Sequence, residues 1–198
     1  MTHTLHTLAA AASYNEDIRK SRFLAQAAPA DTPQQALSYV QQVSDVSATH
    51  NCWAYRIGQD YRFNDDGEPG GTAGRPILQA IEGQGMDRVA VVVTRWYGGI
   101  KLGAGGLARA YGGTATECLR LAQRVPIVTM VRLGVRCDFS DLARMKARLK
   151  DFSADIEQET FDATGVTLHL RLPSDAIADA KTRIVDISRG RHEAYELD

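Results

Sequence analysis

The sequence has little of what would announce a class on sight. Its 198 residues include three cysteines, Cys52, Cys118 and Cys137. They have no CxxC or metal-ligand spacing, their number is odd and their neighbours are apolar, so they read as reduced, mostly buried thiols of a cytosolic protein. No apolar run approaches the ~18 residues of a membrane span, so no membrane partner is expected. Met1 to Ala12 carries His3 and His6 but no Lys or Arg. It lacks the charged and apolar regions of a secretory signal and reads as a loose tail before the first strand. Internal repeats and low-complexity linkers are missing. So are a G-x-S-x-G elbow, an identifiable Cys–His pair and the Walker A lysine–serine pair. The net charge is −1, which excludes a polyanion binder of the wholly basic kind.

Glycine is abundant, and it is concentrated. Fourteen of the seventeen glycines fall between Gly58 and Gly113. Each weakens a helix or strand by roughly 0.5–1 kcal/mol relative to alanine, so the cluster needs a reason. Two signatures hold most of them. The first runs from Asn64-Asp65-Asp66-Gly67-Glu68-Pro69 to Gly74-Arg75-Pro76, and the second from Thr94-Arg95-Trp96-Tyr97-Gly98-Gly99 through Lys101, Gly103, Gly105, Gly106 and Arg109 to Gly113. Between them Val89-Ala90-Val91-Val92-Val93 is the near-continuous β-branched run of a central strand.

Ser13 to Ala28 reads as one or two strands around Arg19-Lys20-Ser21-Arg22. Asp31 or Thr32 caps a helix with Pro33 in its first turn. Asn51 to Ile57 is a strand that Gly58-Gln59-Asp60 turns into Tyr61-Arg62-Phe63. Arg75 to Glu82 is helical, and a long helix spans about Gly103 to Gln123, with Leu107, Tyr111, Ala115, Cys118, Leu119 and Ala122 on its apolar face. After Ile127 glycine nearly vanishes. Strands over Ile127–Asp138, Ala154–Phe161, Val166–Leu172 and Glu193–Leu197 alternate with helices over Phe139–Lys150 and from Ser174, a βαββαβ order of ferredoxin-like type. The boundary between two domains, 1–125 and 126–198, is placed near Arg124 to Ile127.

From Arg88 to Arg124 there are six basic residues and one acidic residue, Glu117. Trp96, Tyr97 and Tyr111 are interleaved, which suits a surface that tracks a nucleic-acid backbone and stacks bases. The G-x-G-x-x-A match at Gly103 does not follow its strand directly, so it is no dinucleotide fingerprint. Two readings of these glycines stay open. Either backbone N–H groups at a helix start, flanked by Lys101 and Arg109, attract an anion, or the glycines only allow helix to pack closely on sheet. In the first signature Asp65, Asp66 and Glu68 could hold a divalent cation or do acid–base work, but Asp-Asp-Gly-Glu-Pro is also good turn chemistry. His50 lacks further zinc ligands at suitable spacing and reads as structural. No catalytic residue, cofactor or metal site is assigned.

These stretches, together with His50-Asn51-Cys52-Trp53-Ala54, resemble the diagnostic segments of the IMPACT family, in its short bacterial, YigZ-like branch. The resemblance extends from about Ser13 to the C-terminus. It implies an α+β chain of two domains. The first would share the fold of a ribosomal small-subunit protein's second domain and domain IV of elongation factor G. The second would be ferredoxin-like and similar to domain V of that factor. Eukaryotic relatives regulate translation through an additional N-terminal partner-binding domain, for which there is no room before Ser13. A proline-dipeptidase activity, attributed to some relatives, finds no metal-ligand cluster here.

The expectation is a cytosolic, translation-associated binding protein for RNA or the ribosome. Its anion site would comprise Arg75, Arg95, Trp96, Tyr97, Gly98, Gly99, Lys101, Gly103, Gly105, Gly106 and Arg109. Alternatives are an enzyme acting on a small phosphorylated or peptide substrate at the same groove, or a protein–protein module regulating translation.

Overall fold

A computed structural model describes residues 4–197, which fall into two units dividing between Ile127 and Val128. In chain order the first unit has β1 His6–Leu8, β2 Ala12–Ile18, β3 Ser21–Pro29, α1 Pro33–Val43, β4 His50–Ile57, β5 Asp60–Asn64, α2 Gly74–Gly83, β6 Val89–Trp96, α3 Ala104–Leu121 and β7 Arg124–Pro126. The second has β8 Met130–Asp138, α4 Phe139–Leu149, β9 Asp155–Phe161, β10 Gly165–Pro173, α5 Ile177–Ser188 and β11 Ala194–Leu197. Among the described residues no helix is long and apolar enough to cross a membrane.

The first unit is built on an antiparallel sheet of order β2-β3-β6-β4-β5. Strand side chains alternate between faces. Val89, Val91 and Val93 of β6 therefore join Phe23, Ala25, Cys52 and Ala54 beneath α2 and α3, while Ala90 packs with Tyr55 and Ala36 beneath α1. A strand covered on both faces needs apolar residues at every position, which is why Val89 to Val93 shows no alternation. On α3 the predicted stripe of Leu107, Tyr111, Ala115, Cys118 and Leu119 is buried. Thr32 caps α1, its Oγ1 accepting from the Gln35 N–H, while the Gln35 side chain accepts in return from the Asp31 N–H, a reciprocal capping arrangement.

Two expectations fail at the ends of this unit. The segment read as a loose tail contains β1, which pairs with β7, and Leu8 is 2% exposed within the main core. Met1 to His3 lie outside the described residues. Arg124 to Pro126, expected to end one helix and lead straight into a strand from Ile127, are themselves that partner strand, and β8 starts only at Met130. Three-residue strands carry no periodicity, so only their pairing reveals them.

In the second unit the antiparallel order is β11-β8-β10-β9, and α4 and α5 cover one face. This is the ferredoxin-like arrangement. Its core brings Leu133, Val135, Leu168 and Leu170 of the sheet against Met145, Leu149, Ile184 and Ile187 of the helices. Ser174 does not cap α5 with its side chain. A short 3-10 turn intervenes, and the Ser174 N–H donates to the Thr129 carbonyl instead.

Candidate functional site

The site forms where β6 leaves the sheet and α3 begins. Continuing the alternation of Val89, Val91 and Val93, Arg95 points to the same face as the core valines, at the last position that face can cover. The side chain is buried, with the residue 5% exposed. Phe23, its register partner on β3, lies beneath the guanidinium at 5.5 Å, and Tyr97 lies against it at 5.2 Å. Arg95 Nη1 donates to Glu68 Oε1 at 2.6 Å, and the Tyr111 hydroxyl donates to the same oxygen at 2.7 Å. Arg95 Nη2 reaches Ser21 Oγ at 3.4 Å, whereas its buried Nε has no acceptor. Burial pushes the Tyr111 phenol well above its ordinary value, so it acts here as a fixed donor.

His50 completes this group. Its Nδ1 donates to the Asp66 carbonyl at 2.6 Å, which sets the tautomer and leaves Nε2 facing Glu68 Oε1 at 3.8 Å. The first signature is thus a scaffold holding Glu68. One Asp65 carboxylate oxygen accepts from the Ala73 and Gly74 N–H groups at the start of α2, and the other from Gly71. Burial alone would raise the Asp65 carboxyl; these three backbone bonds outweigh it and hold it below its ordinary value. Asp66 accepts from the Asn51 N–H. The Cys52 thiol donates to the Asp65 carbonyl at 3.0 Å, and burial pushes its pKa up to about 12. Among the described residues no three His, Cys, Asp or Glu side chains group as metal ligands.

The second signature shapes the other wall. A Cβ on Gly98 would lie 1.8 Å from the Lys20 carbonyl oxygen, so only glycine lets β6 leave the sheet here. The Gly98 N–H donates to Ser21 Oγ and the Tyr97 N–H to Thr49 Oγ1. Gly103 has φ of 70° and ψ of 165° immediately before α3, a region essentially reserved to glycine that costs a residue with a Cβ roughly 1–3 kcal/mol. Glu68, Arg95, His50, Thr49, Tyr97, Lys101, Leu102, Gly103, Ala104 and Leu107 line a cavity of about 370 Å³. Leu102 also borders a neighbouring hollow of about 520 Å³, into which Arg109, Gly106 and Arg19 face.

The expected site residues are therefore divided. Tyr97, Lys101 and Gly103 meet at one cavity, while Gly106 and Arg109 border the next. Arg95 lines the cavity but is committed to Glu68 rather than free for a phosphate. Arg75 is not part of this surface; it lies on the exposed side of α2, in a depression with Tyr61 and Phe63. Trp96, one position past Arg95, projects from the opposite sheet face, where Arg22 lies 4.6 Å from its ring. Gly99 is exposed in the connecting loop, and Gly105 is exposed in the first turn of α3. Asp65, Asp66 and Glu68 form no open acidic loop, because each is engaged by a donor within the chain.

Sequence reasoning missed Ser21, Thr49 and the polar role of Tyr111. The turn Arg19-Lys20, where the sequence allows one strand or two, joins β2 to β3, and its Lys20 backbone lies beside Gly98. Both turn residues have positive φ, 46° and 67°. A two-residue hairpin of this kind favours Asn-Gly. The visible signal was the basic run Arg19-Lys20-Ser21-Arg22 at a strand reversal.

The family profile described as Impact N-terminal domain matches residues 19–119, and a domain of unknown function, DUF1949, matches residues 135–191. An IMPACT family member encoded in a pol 5′ region of Thermus thermophilus is 46% identical over 88% of this chain and 97% of its own length. The IMPACT family member YigZ of Escherichia coli strain K12 is 35% identical over 92% of this chain and 93% of its own. A solved structure titled as that of an hypothetical protein is 32% identical, with a TM-score of 0.66, and the match covers 100% of this chain and 99% of that one. With both domains matched in order and the relatives covered almost end to end, the chain belongs to the IMPACT family, alongside its short bacterial, YigZ-like members.

Proposed function

We propose that the first unit binds RNA, free or within the ribosome, at the edge where the β2–β3 turn meets the start of α3. One observation carries the reading: Arg19, Lys20, Lys101 and Arg109 are brought together there, and among the described residues none of the four forms an ion pair. Arg19 and Arg109 face one hollow, Lys101 lines the next, and the Lys20 backbone abuts Gly98. The ion pairs of this unit, among the described residues, are Arg88–Asp31, Arg95–Glu68, Arg120–Glu117 and His50–Glu68. None uses any of the four. Glu16 and Glu117 also border the larger hollow, but Thr114 donates to the first and Arg120 to the second. The first-turn N–H groups of an 18-residue helix add partial positive charge at the same edge. Left-handed Arg19 and Lys20 support the reading further, since such positions cost stability and a less costly Asn-Gly turn carries no charge.

RNA affinity should fall as salt rises, with a log–log slope of about −0.7 per phosphate neutralised on a single strand. Lys101→Glu combined with Arg109→Glu should weaken binding to RNA or ribosomes and flatten that slope, while both side chains are exposed and the fold stays intact. Salt-independent binding, or unchanged affinity in the double variant, would refute the reading. An enzyme acting on a small substrate is the second reading, favoured by the buried carboxylate of Glu68 and the His50 ring in a ligand-sized cavity. A nucleotide or metal co-purifying in stoichiometric amount would bring it forward.

A further inference from the structure

We infer that the cavity lined by Glu68, Arg95 and Tyr97 receives a single unstacked guanine base of the bound RNA; this rests on the RNA reading above. The cavity, about 370 Å³, falls in the ~300–1,000 Å³ range of small-ligand sites. Its walls include Pro69, Leu102 and Leu107, with Tyr97 as an aromatic at its edge. Tyr97 is 44% exposed, and the Arg95 guanidinium is packed against its ring. An exposed ring held in this way is a stacking platform for a base.

The polar end of the cavity selects the base. Arg95 and Tyr111 both donate to Oε1 of Glu68, and among the described residues no hydrogen bond uses Oε2. A carboxylate accepts at both oxygens, so a ligand must bring donors. His50 Nε2 stands beside it, an acceptor in the neutral ring because Nδ1 already donates to Asp66. Next to these acceptors the Arg95 guanidinium, which carries only donors, lines the same cavity. The Watson–Crick edge of guanine presents O6 as acceptor followed by two adjacent donors, N1–H and the N2 amine. Adenine and cytosine each offer one donor group on that edge, and uracil one N–H between two acceptors. Only guanine supplies adjacent donors with an acceptor alongside. The start of α3, with Gly103 and Ala104 in the cavity wall and Lys101 at its rim, is then placed to meet the nucleotide's phosphate.

The test changes the ligand first, so that protein stability does not enter. Oligouridylates about eight nucleotides long, with one central guanosine, inosine or adenosine, are titrated against the full chain by fluorescence anisotropy at one salt concentration. Inosine keeps N1–H and O6 but lacks the N2 amine. The guanosine oligomer should bind about tenfold tighter than the inosine one, with adenosine weaker again. Tyr97→Ala should weaken the guanosine oligomer, and Glu68→Gln, wherever it folds, should erase the preference. Equal affinity for the three oligomers, with binding still salt-sensitive, would overturn the guanine pocket and leave the RNA reading standing. No binding to any oligomer or to ribosomes would overturn both.

Discussion

In the second unit Arg132 pairs with Glu157, Lys146 with Glu159, Lys181 with Glu196, and Arg191 with both Asp138 and Asp141, all at the surface. A hydrogen bond from Arg136 holds the Asp162 carboxyl well below its ordinary range. In the first unit the arrangement is inverted: the tightest pair, Arg95–Glu68, is buried, and the cations at the β2–β3 turn and the start of α3 face solvent unpaired. Surface pairs contribute about 0–1 kcal/mol each, whereas breaking a buried pair by removing one partner costs about 3–5 kcal/mol. Among the described residues the second unit pairs Arg132, Arg136, Lys146, Arg148, Lys181 and Arg191, whereas the first pairs Arg88, Arg95 and Arg120. The cations at the β2–β3 turn and the start of α3 add charge from which folding gains little, the basis of the RNA reading proposed above.

The contrast can be broken most directly at Glu68. Glu68→Ala leaves a buried guanidinium and the Tyr111 hydroxyl without their acceptor, and should lower unfolding free energy by about 3–5 kcal/mol in a denaturant titration. The corresponding surface change, Glu157→Ala, should cost under about 1 kcal/mol, and less at high salt. Comparable losses would erase the distinction between the units.

A smaller effect is expected at Asp65, whose folded pKa is depressed below the ordinary 3.8. Folding favours its ionised form, so its stabilisation is complete above pH 3.8 and is lost as pH falls through the lower folded value. Asp65→Ala should therefore cost about 1–2 kcal/mol at pH 7, as for a lost helix cap, and visibly less at pH 3. A difference independent of pH would show that the carboxylate's charge does not matter.

The β2–β3 turn sharpens the comparison from the other side. Replacing Arg19-Lys20 by Asn-Gly should stabilise the first unit by about 1 kcal/mol, because both positions have positive φ. The same change should weaken RNA binding. Gain of stability with undiminished binding would remove these two residues from the interface.

Much of the architecture was legible because it follows from period. Val89 to Val93 announced a strand buried on both faces, and the α3 stripe from Leu107 to Leu119 announced its helix. Arg95 was legible in principle, since odd positions of β6 share the core face, but a cation at a strand end invites a surface reading. Glu68 was not. Its local sequence, Asp-Asp-Gly-Glu-Pro, is turn chemistry, and what buries its side chain is Arg95 and Tyr111, 27 and 43 positions away. Arg75 was grouped with the other cations by nearness in sequence, whereas α2 carries it to a separate depression. Trp96 was grouped the same way, and parity sends it to the opposite face.

The pairing of β1 with β7 has a consequence for synthesis. His6 is among the first described residues to leave the ribosome, and its partner Pro126 emerges only after the rest of the first unit has been made. At about 5–20 residues per second the delay is on the order of 10 s. For the last part of that interval β1 has its hydrogen bonds to Gly85, Asp87 and Arg88, but Leu8, buried in the finished core, still lacks its strand partner. The first unit closes on its own last strand, so a nascent chain halted before Pro126 would have β2 to β6 available to pair while the two outermost strands waited.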